Sequence, residues 1–166
     1  MSLENVKKYF KAFKRDNDII VFDKSSATVE LAAMALKTEE ARIAKTLAFI
    51  KNDSLILVLT SGDMKIDNKK YKNEFACKAK MIPYEDTEKL IGHLPGGICP
   101  FAIKDNVFVY LDESLKRFET SFPAAGSANS AIELNCEELM KYSQNFIKWV
   151  DICKSKWFRG LVIVNK

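Results

Sequence analysis

His93 is the sole histidine in 166 residues, and Cys99 follows it six positions later in the stretch GHLPGGICPF, residues 92–101. A histidine near a thiol could serve nucleophilic acyl transfer, with the imidazole taking the thiol proton. No helix start follows Cys99 to lower its pKa, so a hydrogen-bonded structural histidine stands as the competing reading. The same ten residues hold three of the six glycines and two of the four prolines. Adjacent Gly96 and Gly97 allow bare backbone N–H groups to approach a ligand. Pro100 fixes its own φ and biases Cys99 toward extended backbone. Such a wall of amides suits a carbonyl oxygen that gains negative charge. A second stretch of small residues, AAGSANSA at 124–131, adds Ser127, Asn129 and Ser130 as hydrogen-bonding groups. Either loop alone reads as a tight turn; the two together suggest a small-ligand pocket recognised largely by backbone.

Two sets of lysines complete the chemistry. Lys45 stands at the start of KTLAFI, a largely apolar strand pattern. A cation there is costly unless it reaches water or has a partner, so it either snorkels outward or steers an anion or polarised carbonyl. Residues 65–80, KIDNKKYKNEFACKAK, carry six lysines against two acids, with Tyr71 and Phe75 interleaved. This is either a solvated helix face over buried aromatics or a strip that meets phosphates.

These residues need elements to hold them. DIIVFD (18–23) reads as a strand, and SSATVELAAMALK as a helix capped from Ser25, Ser26 or Thr28, with Leu31, Met34 and Ala35 on one face. A strand from about Lys45 to Ile50, the turn Asn52-Asp53 and the strand SLILVLTSG form a hairpin. Helices are expected after Asp67, over 84–92 with Gly92 closing it, and after Asn135 with Glu138 at capping-box distance. Strands are expected at 107–111 and 131–134, with a short helix after the former. FIKWVDICK stays ambiguous between helix and strand. The irregular mixture, with a hairpin as its clearest pairing, predicts an α+β fold on a mainly antiparallel sheet.

Composition excludes several classes. The length predicts one domain over 1–166, large enough to fold without a disulfide or metal staple. The N-terminal segment has no apolar stretch of the signal-peptide kind, and no run approaches the ~20 apolar residues of a membrane span. Four irregularly spaced cysteines and one histidine do not make a zinc set, and reduced thiols in a cytoplasmic protein are expected. Phosphate-binding G-x-x-x-x-G-K-[ST], dinucleotide-binding G-x-G-x-x-G, H-E-x-x-H and G-x-S-x-G are all missing.

ARIAKTLAF, GHLPGGICPF, YLDESLKRF and PAAGSANSAIEL occur in an order and at spacings that resemble the YbaK/ProX family of aminoacyl-tRNA deacylases. These are free-standing relatives of the editing domain of bacterial prolyl-tRNA synthetases. The resemblance runs over about 25–154 and leaves 155–166 as an added tail, whose LVIV suggests an extra strand or a dimer contact. It implies a curved, largely antiparallel, barrel-like sheet with flanking helices. It also implies hydrolysis of the ester joining a wrong small amino acid to a tRNA 3′ end, with no metal, cofactor or enzyme nucleophile. The family's lysine falls on Lys45 and its G-x-x-x-P loop on Gly96, Gly97, Ile98, Cys99 and Pro100. Substrate contacts are expected from Thr28, His93, Cys99, Gly126, Ser127, Ala128 and Ala131, and tRNA contacts from Lys65, Lys69, Lys70 and Lys72. Aminoacyl-tRNA and a synthetase are the implied partners, with no membrane. One departure is Ala131, where the cysteine-specific branch carries an acid; this weighs against Cys-tRNA(Pro) as substrate. A non-catalytic module that binds a tRNA end or an amino acid is the alternative.

Overall fold

The computed structural model describes residues 2–156. The tail reading therefore lies outside the described residues, apart from its first two positions. The opening segment forms α1 (Ser2–Lys11), with Val6 and Phe10, four residues apart on one face, fully buried. The expected strand at 18–23 shrinks to β1 (Ile20–Val21). In α2 (Val29–Leu36), the Thr28 hydroxyl accepts the Leu31 N–H as N-cap. Its Leu31–Met34 face turns outward, Met34 being 74% exposed, while Ala32 and Ala33 pack inward. The small alanines let the helix lie close to the sheet, so size rather than hydropathy chose the buried face.

β2 (Ile43–Lys51) and β3 (Ser54–Ser61) form the expected hairpin over eight cross-strand pairs, and Asn52 in its turn adopts φ 56°, which Asn tolerates. There follow β4 (Met64–Ile66), α3 (Asn68–Phe75) and α4 (Thr87–Ile91), the last closed by Gly92 at φ 109°. Then come β5 (Val107–Asp112), β6 (Thr120–Pro123), β7 (Ser130–Ala131) and β8 (Leu134–Asn135). α5 (Cys136–Tyr142), β9 (Phe146–Val150) and β10 (Cys153–Ser155) complete the chain. The expected strand at 131–134 is thus split in two, and FIKWVDICK resolves into strands. The capping box of Asn135 and Glu138 forms as the sequence indicates.

The fold is α+β. The main sheet is strongly curled and runs β8-β6-β2-β3-β5-β9; β1-β7 and β10-β4 make two small ribbons. The sheet is mixed: β2-β3 and β6-β8 are antiparallel, whereas β2-β6, β3-β5 and β5-β9 are parallel. Both faces are covered. Leu57, Leu59, Val107 and Val109 join the larger core with α1, whereas Ile56 and Val58 pack with Tyr71 and Phe75 of α3. This two-sided burial explains why SLILVLTSG is almost continuously apolar.

Candidate active site

Where β2 leaves the curled sheet, a cavity of about 130 Å³ opens. Its walls come from four segments: residues 26–29 and Ala32 at the start of α2, residues 43–46 of β2, Gly96 and Ile98 of the glycine loop, and Phe122, Ala124, Ser130 and Ala131. Most lining side chains are small or aliphatic, and Lys45 is the one ionisable residue among them.

Lys45 is half-buried, and its Nζ donates to the Met64 carbonyl of β4. No carboxylate among the described residues lies within ion-pair distance of it. The nearby Asp63 is taken by Arg117, whose two terminal nitrogens reach its oxygens at 2.6 and 3.1 Å. Burial away from water pushes the ammonium pKa down from 10.5, against a weaker opposing pull from Cys153, Asp63 and Glu30. The strand-end lysine is therefore neither salt-bridged nor freely hydrated.

The glycine loop divides its labour. Gly96 has φ 89° and faces the cavity, where the Cβ atoms of Ala27 and Ala128 close in on it. Gly97 faces away: a Cβ there would lie 2.8 Å from Gly126 and Ser127 backbone. Its N–H donates to the Leu94 carbonyl at 3.0 Å. Gly97 is thus a packing glycine with its amide already used, and the loop residues that line the cavity are Gly96 and Ile98. Gly126 is likewise a packing position, since a Cβ would strike the Ser2 carbonyl and Val6 of α1 at 2.7 Å. Pro100 is buried behind the loop and its carbonyl accepts the Gln144 N–H at 2.9 Å.

His93 and Cys99 do meet, at 3.4 Å, but both are fully buried and neither lines the cavity. The imidazole bonds to the Ser2 hydroxyl and to the Phe101 carbonyl, each at 2.7 Å. Burial pushes the Cys99 thiol up to about 12, the reverse of an activated nucleophile. The thiol-hydrolase reading fails on this geometry, and the expected substrate contacts of these two residues are corrected to support of the loop.

In the second loop, Ser127 donates to Asn129 Oδ1 at 2.8 Å, and the Ala128 carbonyl accepts the Ser26 N–H at 2.5 Å. These bonds hold the loop against the segment before α2. Thr28 and Ala131 line the cavity, whereas Ser127 and Ala128 are not among its lining residues. Thr46 and Phe122 line the cavity without having been expected there. The Thr46 hydroxyl is buried and has no hydrogen-bond partner. Alternation along β2 separates Thr46 from Lys45 by face, so the strand pattern gave no reason to group them.

The four expected tRNA-contacting lysines also separate. Lys70 is engaged with Asp151 Oδ1 at 3.1 Å and the Cys153 carbonyl at 2.9 Å. Lys65 is exposed on β4, and Lys69 and Lys72 are exposed on α3.

The family model of the aminoacyl-tRNA editing domain matches residues 23–142. Over 155 residues the chain is 47% identical to the uncharacterized protein YwhH of Bacillus subtilis, covering 93% of this chain and 98% of that protein. Over 115 residues it is 29% identical to EbsC of Enterococcus faecalis, whose name offers it as a candidate Cys-tRNA(Pro)/Cys-tRNA(Cys) deacylase; 68% of this chain and 70% of EbsC are covered. The crystal structure of a candidate trans-editing enzyme for prolyl tRNA synthetase superposes with a TM-score of 0.82 at 22% identity, over 93% of this chain and 98% of that one. That likeness concerns the fold.

Proposed function

This chain belongs to the aminoacyl-tRNA editing domain family, and on that premise we propose that it hydrolyses the ester between a small, wrongly attached amino acid and the 3′ end of a tRNA. The observation that carries this reading is Lys45: a desolvated cation without a carboxylate partner, at a small cavity bounded by a glycine loop. A terminal adenosine phosphate or the ester carbonyl would supply the missing negative charge. The N–H groups of Gly96 and Ile98 receive the carbonyl oxygen and hold it as it becomes an oxyanion. Water, ordered by the substrate's own 2′-hydroxyl, attacks the carbonyl carbon. The bond from that carbon to the ribose oxygen then breaks, and the water proton passes to the departing oxygen. The enzyme contributes position and charge rather than a nucleophile, consistent with the inert Cys99.

The substrate side chain occupies the space lined by Ala44, Ala124 and Ala131. Absence of an acid at Ala131 favours an uncharged side chain of the size of Ala, Ser, Thr or Cys. A one-methylene difference in such a pocket is worth only about 1–3 kcal/mol, so the preferred amino acid must be measured.

Incubation with tRNAs charged with Ala, Ser, Thr, Cys or Pro tests this directly. Selective loss of one ester is expected, slowed about 100-fold or more by Lys45→Ala and retained by Cys99→Ser. Hydrolysis of none of them above the spontaneous rate, alongside measurable tRNA binding, would replace catalysis with the binding-module reading. A fully active Lys45→Ala protein would remove the lysine from the reaction.

A further inference from the structure

The acids and lysines around α3 sort into two groups. Asp151 holds Lys70 at 3.1 Å, Glu74 holds Lys148 at 2.6 Å, and Asp67 spends one carboxylate oxygen on the amides of Lys69 and Lys70 as N-cap. Each of these acids thus already has partners, Asp67 standing near Lys154 and Lys70 as well. Lys69, Lys72 and Lys78 are exposed, and among the described residues none forms an ion pair. With Asn68 and Ala79 they line a groove of about 550 Å³. The β4-β10 ribbon beside it sets Lys65 directly opposite Lys154. Like charges facing each other across an antiparallel pair destabilise the pairing, so this face keeps its positive charge at a cost to the fold.

From these observations we infer that the Lys69–Lys72–Lys78 groove, flanked by Lys65 and Lys154, binds the phosphate backbone of RNA several nucleotides away from the end held at Lys45. The link between the sites is short: one hydrogen bond and a few residues of chain. The Lys45 ammonium binds the Met64 carbonyl at the start of β4, and Lys69 lies five residues further along. Five residues span at most about 17 Å. At the roughly 3.4 Å per nucleotide of a stacked duplex strand, this upper bound is about five nucleotide steps. A tRNA with its ester in the cavity thus brings phosphates within reach of the groove. Lysine ammonium groups recognise phosphate as point charges without reading bases, so the groove sets affinity and approach rather than amino-acid choice. The inference rests on the deacylase reading for its occupant, but on charge and pairing alone for its location.

The test uses the full chain and unacylated tRNA, so binding is read without hydrolysis. A Lys69→Ala/Lys72→Ala/Lys78→Ala protein is compared with wild type and with Lys7→Ala/Lys8→Ala/Lys11→Ala, which removes equal charge from α1. Each lost phosphate contact lowers the slope of log affinity against log salt by about 0.7–0.9, so the groove variant is expected to lose about 2–3 from the slope. The α1 variant should lose less than 1. On charged tRNA the groove variant should raise KM while kcat at saturation is kept. Wild-type slope and affinity in the groove variant would overturn the inference, as would equal losses in the two triple variants. If wild type hydrolyses no ester yet the groove-specific loss of binding is found, the deacylase reading fails and the groove stands.

Discussion

At Gly97 the space for a side chain is filled by Gly126 and Ser127 backbone, 2.8 Å from where a Cβ would sit. Gly97→Ala must push the two loops apart, and overpacking of this kind costs about 1–3 kcal/mol. Urea unfolding should show that loss as a lower midpoint; an unchanged midpoint would mean that the loops separate freely. The glycine was legible in the sequence as a position of close approach, but what approaches it was not. GGICP read as bare backbone offered to a ligand, whereas of its two glycines only Gly96 lines the cavity and Gly97 receives another loop from residue 126. Lys45 was legible because a charge in an apolar strand needs a reason. Thr46 carried no such signal, since a threonine is ordinary in a strand and its hydroxyl is conspicuous only once burial has removed its partners.

Elements announced by local chemistry appear where expected: Asp67 caps α3, Asn135 caps α5, and Asn52-Asp53 turns the hairpin. Each depends on groups within four residues of one another. The parallel pairs β3-β5 and β5-β9 depend on contacts about fifty and forty residues apart along the chain, and no turn residue marks them. A hairpin-based reading therefore favours antiparallel pairing over the mixture that forms. Asp67 offers the clearest trial of the local rule, because its carboxylate accepts from both Lys69 and Lys70 amides. Asp67→Ala should cost about 1 kcal/mol, and Asp67→Asn, which still offers an oxygen, much less. Equal thermal melts for these two variants would show that the cap contributes nothing to α3.

Across the whole molecule, His93 joins pieces distant in sequence. In the neutral ring Nε2–H donates to the Phe101 carbonyl and Nδ1 accepts a hydrogen bond from the Ser2 hydroxyl, tying α1 to the glycine loop. Burial lowers the His93 pKa from 6.5, with the Phe101 carbonyl only partly opposing it. The unfolded chain therefore binds this proton more readily than the folded one does. The stability is fully present above pH 6.5 and is lost as pH falls from 6.5 toward the lower folded value, with a slope of at most about 1.4 kcal/mol per pH unit. Asp63 and Asp67 are held below 3.8 by Arg117 and by helix amides respectively, so their share is lost only in the more acidic range. The chain has one histidine, so the interval between 6.5 and about 4 isolates it. Urea stability measured across that interval should fall more steeply for wild type than for His93→Gln. Parallel pH profiles would mean that the buried imidazole accepts a proton without disturbing the joint, and α1 would then be held to the glycine loop by the Ser2 hydroxyl donating to the Gly92 carbonyl and by the packing of Val6 and Phe10.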